Sequence, residues 1–274
     1  MYRWDGGFIM VEPDKFDEAI AWYETILGWK CLDKVTSWVG KKGFMKMPRS
    51  GVVTIKSFEG VYDHFQSSET KGNVKLGFAS YDLDETLSYL AENDVAFTEI
   101  HALPNGQRYC EVYGFNQTNL TIVEEARGED RTVYPPSGIV GFGTVNTIIH
   151  VRDPRLSAQW YEKHLGFEVV EVDAENGYAH MRSEDAYDRN VLNQCFWDNI
   201  WLLQTTKIVK KPNDNQVRTY YDIRPDVFFD EYNKLIRNGI KPSEIAGDPI
   251  NGWGGFHIYD LDNNRINVWS YIVN

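Results

Sequence analysis

The sequence predicts an α+β fold of four βαβββ units in two tandem halves, with mixed sheets that cup, and three observations carry that expectation. "AWYETILGWKCLD", Ala21 to Asp33, returns almost unchanged as "QWYEKHLGFEVVE", Gln159 to Glu171. The offset between the halves stays nearly constant: Tyr23 matches Tyr161 at 138 residues, Leu90 matches Leu235 at 145, and Tyr113 matches Tyr259 at 146. A duplication keeps such a register and drifts only where loops differ in length. Finally, each half reads as strand, helix and several strands, and then reads that way again.

In the first half, "GGFIMVE" is an apolar run that suits a buried strand. "PDKFDEAIAWYETIL" follows with a Pro-Asp start, apolar residues at helical spacing and a stop at Gly28. "GFMKMP" and "GVVTIKSF" alternate with period two between turn residues and are strands. "NVKLGFASYD" opens the second unit, "LDETLSYLAEND" is its helix with an acidic solvated face, and "RYCEVYG" and "NLTIVEE" are strands. The second half repeats the order with "TVNTIIHV", "DPRLSAQWYEKHL", "NIWLLQTTK", "VRTYYDI", "DVFFDEYNKLIRNG", "GFHIYD" and "RINVWSY". Between them "RGEDRTVYPPSG" is charged and then turn-rich, which places a linker at 127–139 between domains 1–126 and 140–274.

Each half is long enough to bury about two thirds of its unfolded surface without a staple. Cys31, Cys110 and Cys195 are odd in number and have no metal-type or redox-type spacing, so they read as reduced core residues of a cytoplasmic protein. The first residues lack a basic stretch followed by an apolar one, and no run of 18 apolar residues occurs, so neither secretion nor a membrane partner is expected. A formal net charge of -12 argues against nucleic acid, whose phosphates need a basic footprint. The same charge weakly favours cationic ligands by steering. The 9 Trp, 16 Tyr and 14 Phe fit either thick sheet cores or aromatic-lined pockets.

A strand, a short acidic turn, "WYxxxLGF", and a last strand introduced by "DLDNNRIN" together resemble the vicinal oxygen chelate superfamily. That group includes glyoxalase I, extradiol dioxygenases, fosfomycin-modifying enzymes and bleomycin resistance proteins. The resemblance covers both halves and implies two tandem domains whose sheets cup around a site. In the family, metal ligands of the His, Glu or Gln type point into the cup from the first and last strands of each unit. The matching positions here are Asn146, Arg218 and Asn267 in the second half, with Gln204 near a fourth. In the first half they are Phe8 (or Gly7), Lys75 and Thr121. A guanidinium offers no lone pair and repels a cation, so the resemblance implies a cup kept and a metal lost. No cofactor is expected, with a divalent metal as the alternative left open.

Period two puts Asn146, Ile148 and His150 on one strand face, which the family orientation makes the cup. Arg218, Tyr220 and Asp222 are expected on the opposing wall, with Asn267 and Trp269 on the final strand. Arg218 on an inward face needs an anion, supplied by Asp222 or by a ligand carboxylate or phosphate. His180 and His257 also fall on strands and could join His150 and Asp222 as a two-His-one-carboxylate metal site. His64, His101 and His164 read as surface residues. The first cup, with Phe8, Met10, Gly77, Ala79, Thr121 and Val123, reads as apolar apart from Lys75 and suits a scaffold.

The leading functional reading is therefore a metal-independent protein of the glyoxalase/bleomycin resistance type. It would hold a small aromatic or cationic organic molecule in the cup of the second domain through Asn146, His150, Arg218, Tyr220, Asp222, Asn267 and Trp269. The alternative is a glyoxalase- or dioxygenase-type lyase, isomerase or oxidoreductase with His150 as acid or base beside Arg218. A third is an interaction module with a closed cup and an exposed apolar patch. Pairing of the domains within the chain or across a homodimer is left open.

Overall fold

The computed structural model describes residues 2–37, 40–58, 72–125, 133–185, 198–207 and 216–271. Cys195, His64 and the 126–132 part of the expected linker lie outside these residues. The first half contains β1 (Arg3–Met10), α1 (Phe16–Leu27), β2 (Lys30–Ser37), β3 (Gly40–Lys46) and β4 (Val52–Phe58), then β5 (Val74–Ser80), α2 (Leu83–Glu92), β6 (His101–Ala102), β7 (Arg108–Tyr113) and β8 (Asn119–Glu124). After β9 (Ile139–Gly141) the second half gives β10 (Val145–Val151), α3 (Pro154–Leu165), β11 (Glu168–Asp173), β12 (Tyr178–Asp185) and β13 (Asp198–Gln204). It ends with β14 (Val217–Asp222), α4 (Phe228–Arg237), β15 (Ala246–Gly247), β16 (Trp253–Tyr259) and β17 (Arg265–Tyr271).

The two copies of the Leu-Gly motif end their helices in the same way. Gly28 closes α1 at φ 70° and Gly166 closes α3 at φ 73°, the left-handed conformation that glycine adopts without a Cβ penalty. At the other end of α3, Asp153 accepts a hydrogen bond from the Leu156 N–H and Pro154 occupies the first turn, where a missing N–H costs nothing. A side chain at Gly28 would collide with Pro135, and the Ser137 hydroxyl donates to the Leu27 carbonyl at 2.8 Å. The end of the linker is thus packed against α1.

Within every unit the first strand runs parallel to the last, and the remaining strands add antiparallel. The pairing between units crosses the duplication. β1 lies antiparallel to β14, with Phe8 opposite Arg218, and β5 lies antiparallel to β10, with Lys75 opposite Ile148. Two curled sheets result: sheet A in the order β2-β3-β4-β1-β14-β17-β16-β15, and sheet B in the order β6-β7-β8-β5-β10-β13-β12-β11. Each sheet takes one unit from each half.

Close backbone approach marks both seams. A Cβ at Gly7 would lie 2.7 Å from the Arg218 carbonyl oxygen, and one at Gly77 would fall inside contact distance of the Val145 carbonyl oxygen. Arg3 adds a two-pronged ion pair to Asp222 at 3.0 and 2.5 Å across the first seam. The four helices of the described residues cover one side of the sheets. Their apolar faces, including Ile20, Leu87, Trp160 and Phe228, join inward strand residues such as Ile9, Phe78, Met181 and Val268 in the main core. The opposite, concave faces carry separate clusters. Among the described residues no helix is long and apolar enough to cross a membrane.

Candidate functional site

On sheet A, alternation gives the helix side to Ile9, Val217 and Val268 and the concave side to Phe8, Met10, Tyr220 and Trp269. Three rings on the adjacent strands β1, β14 and β17 form a floor. Phe8 and Tyr220 lie 4.6 Å apart between centroids, and Tyr220 and Trp269 stack at 4.9 Å and 16°. The Trp269 indole is oriented by donating to Asp5 Oδ2 at 2.9 Å. Two cations stand on this floor. Lys56 Nζ is 3.9 Å from the Phe8 centroid and 4.4 Å from that of Tyr220, while Arg218 Cζ is 5.6 Å from Phe8. Lys56 is 7% exposed and Arg218 3%, so both charges act with little screening by water. Asn267 donates to the Thr219 carbonyl at 3.2 Å and accepts from Arg265 Nε at 2.9 Å.

The concave side of sheet B is built differently. Val123, Val145, Ile148 and Trp201 pack together there, with Tyr109 and Tyr178 beside them. His180 stacks on Trp201 at 4.5 Å and 7°, and its Nε2 pairs with Asn199 Oδ1 at 2.8 Å. Lys75 is bound to Glu111 at 2.7 Å, and Asn119 donates to the same carboxylate at 2.6 Å. His150, half-buried next to this pair, has its pKa lowered by burial and then by the Lys75 charge, so the neutral imidazole is favoured. Counting in twos from Ile148 puts Asn146 on the concave face too, and a β-bulge before Thr147 adds Val145 to it.

The seven residues expected in one cup are therefore divided. Asn146 and His150 belong to sheet B, whereas Arg218, Tyr220, Asp222, Asn267 and Trp269 belong to sheet A. The expected wall shared by Asn146 and Arg218 does not form, because first strands pair across the halves and β10 meets β5 instead of β14. For the same reason His150 does not stand beside Arg218. The expected first cup divides likewise, with Phe8 and Met10 in sheet A and Lys75, Gly77, Ala79, Thr121 and Val123 in sheet B. Asp222 is held by Arg3. His164 corrects another expectation: it is buried against Trp160 at 5.1 Å, and burial lowers its pKa. Cys110 is a core residue with its thiol pushed up to about 12 by burial, but Cys31 is only half-buried on an edge strand.

Lys56 and Glu111 were missed by sequence reasoning. Lys56 carried a readable signal, since a lysine at an alternating position of the strand "GVVTIKSF" is the same anomaly as Arg218 on its own strand.

The strand positions that hold metal in vicinal oxygen chelate proteins do not offer a divalent ion a fitting donor set. On sheet A they are Phe8, Lys56, Arg218 and Asn267; on sheet B they are Lys75, Thr121, Asn146 and Trp201. Each set includes at least one cation and an aromatic ring, and neither contains a carboxylate or imidazole. Gln204 lies on the exposed side, its amide bonded to the Arg152 carbonyl at 3.2 Å. Among the described residues no group of three His, Cys, Asp or Glu is placed to hold a metal.

No family model and no curated protein matches the chain by sequence. Solved structures match it by shape. A Bacillus subtilis protein provisionally named a dioxygenase superimposes with a TM-score of 0.65 at 14% identity, covering 100% of this chain and 87% of its own. Glyoxalase I from Zea mays gives a TM-score of 0.63 at 13% identity, covering 98% of this chain and 92% of its own. At these identities the likeness shows the fold, an α+β arrangement of two curled sheets, and the chemistry has to come from the residues.

Proposed function

We propose that this chain, which has the fold of the tandem vicinal oxygen chelate proteins, is a metal-independent binding protein for small organic anions with a flat ring, held in the cup of sheet A. The observation that carries the reading is the convergence of Lys56 and Arg218 on the Phe8–Tyr220–Trp269 floor. Stacked rings take a planar body, and two cations above them take a carboxylate.

The formal net charge of -12 favours cations at long range, but at the cup floor Lys56 and Arg218 outnumber the Asp5 carboxylate, and Asp222 is neutralised by Arg3. Range decides between them. Exposed charges are screened beyond roughly 8–10 Å in physiological salt. A carboxylate at about 4 Å from an ammonium gains on the order of 4 kcal/mol at the effective dielectric of a protein surface. Groups inside the cup therefore set which ligand stays.

Metal analysis of the purified protein, followed by calorimetric titration with benzoate and with uncharged benzamide, tests the proposal. Benzoate should bind at least about tenfold tighter, as expected for charge-assisted hydrogen bonds, and Arg218→Met or Lys56→Met should remove that preference. Equal affinity for the two compounds, or binding that depends on a stoichiometric metal, would sink the reading.

A further inference from the structure

The concave face of sheet B holds a feature that neither packing nor the sheet A cup accounts for. Three fully buried polar groups on it have no hydrogen-bond partner among the described residues: the Thr121 hydroxyl on β8, the Asn146 amide nitrogen on β10 and the Trp201 indole nitrogen on β13. Thr121 is 1% exposed and Trp201 4%, so bulk water does not satisfy them. Leaving such a group unpaired is costly, and buried groups in folded proteins are almost always paired with protein, ordered water or ligand. All three can donate. They also sit near one another in the sheet: Thr121 is opposite Gly77 on β5, β5 is flanked by β10, and Ile148 of β10 is opposite Trp201. Gly77 contributes no side chain between Thr121 and Asn146, and it lets the β10 backbone approach closely.

The charged groups around this spot are engaged. Lys75 is paired with Glu111, Arg182 donates to Asn199 at 3.3 Å, and His150 is held toward its neutral form. The surrounding wall is apolar and aromatic, made by Val123, Ile148 and Trp201 with His180 stacked behind. Donors without net charge inside an apolar wall match a neutral acceptor better than a carboxylate, which would lose its hydration without gaining a counter-ion.

We propose that sheet B carries a second binding site, distinct from the anion cup of sheet A, for an uncharged organic molecule with a carbonyl oxygen. The oxygen accepts from Trp201, Thr121 and Asn146, and the apolar body packs on Val123 and Ile148. This site stands on the three unpaired donors alone and does not depend on the reading of Lys56 and Arg218.

The test uses the full chain, nitrogen-15 labelled, with coumarin and acetophenone as carbonyl probes and indene and ethylbenzene as matched hydrocarbons. The Trp201 indole resonance is assigned by its loss in Trp201→Phe. Saturable displacement of that resonance by the carbonyl probes and not by the hydrocarbons is expected, with Thr121→Val weakening it by at least about tenfold. Arg218→Met, which disables the other cup, should leave the displacement unchanged, so failure at one cup is read separately from failure at the other. If neither carbonyl probe moves the resonance, or if the hydrocarbons move it equally, the proposal is overturned. A long-lived water cross-peak at that indole would then identify ordered water as the partner.

Discussion

The hydroxyl of Tyr161 donates a 2.8 Å hydrogen bond to Oδ2 of Asp260, deep in the protein and across 99 residues of sequence. Asp260 also accepts from the N–H groups of Asp262 and Asn264, each at 2.8 Å, and from the Asn264 side chain at 2.9 Å. Asp262 in turn receives the Arg152 backbone N–H at 2.9 Å and its guanidinium, at the entry to α3. The two segments that carry the family resemblance, "WYEKHLGF" and "DLDNNR", are therefore bonded to each other. Burial keeps the Tyr161 hydroxyl protonated, so it remains a donor.

Removing that donor leaves a buried carboxylate oxygen short of a partner, and Tyr161→Phe should destabilise the protein by about 1–3 kcal/mol in urea unfolding. The matching residue of the first half gives an internal control. There Gly114 stands in the place of Asp260, and among the described residues neither the buried Tyr23 hydroxyl nor the neighbouring Thr118 hydroxyl makes a hydrogen bond within normal geometry. Tyr23→Phe should cost less than about 0.5 kcal/mol, since no buried partner is stranded. Equal losses at the two positions would contradict the assigned role of Asp260.

This contrast explains what was legible in the sequence. The repeat, the helix stops at Gly28 and Gly166 and the Asp260 turn are local devices with their own residue signatures, and they can be read in order along the chain. Which first strands lie side by side is not written locally. Both "GGFIMVE" and "TVNTIIHV" are apolar runs able to pair on either side, and the close approach of Gly7 to Arg218 and of Gly77 to Val145 is a three-dimensional fit between opposite halves. Assigning Arg218 and Asn146 to separate cups depends on that choice. The strand alternation that places these residues is local, whereas their grouping on one sheet or the other is not.

The seam itself can be tested at Gly77. An alanine there would place its Cβ against the Val145 carbonyl oxygen, which is backbone and cannot swing away. Gly77→Ala should cost about 2 kcal/mol or more, within the range for overpacking. Gly106, on an open loop with nothing near its Cβ position, has φ of 85°, so Gly106→Ala should show only the smaller penalty of a left-handed residue, about 1 kcal/mol. Chemical unfolding of both variants compares them directly. A smaller loss at Gly77 than at Gly106 would remove close packing of the halves as the reason for the glycine.

His150 should titrate below its ordinary value of 6.5, because burial and Lys75 both disfavour the imidazolium. With the folded-state value depressed, the unfolded state binds the proton first. The associated stability is present above pH 6.5 and is lost as pH falls through the depressed value. Lys75→Met removes a positive neighbour and leaves Glu111 without its partner, so the His150 pKa should rise. Proton NMR of the imidazole against pH measures both changes, and a variant that titrates with the parent would show that Lys75 exerts no field there.

The mouth of sheet A offers a kinetic prediction. Lys42 on β3 and Trp253 on β16 come from the first and last units of the chain, and their registers opposite Lys56 and Tyr271 place both on the concave side. The Lys42 ammonium nevertheless reaches the Trp253 ring at 4.5 Å, so the contact spans the opening between the sheet's two wings. Trp253 is 40% exposed, and a cation–aromatic contact in such a setting contributes about 0.5–1 kcal/mol, enough to bias an opening without locking it. A contact made equally in the free and bound protein alters access more than affinity. Lys42→Ala should therefore raise association and dissociation rates of benzoate together, by about two- to fivefold, with little change in Kd. Stopped-flow fluorescence resolves the two rates. A change confined to dissociation would instead make Lys42 a direct ligand contact and move the anion site outward from Lys56 toward the rim.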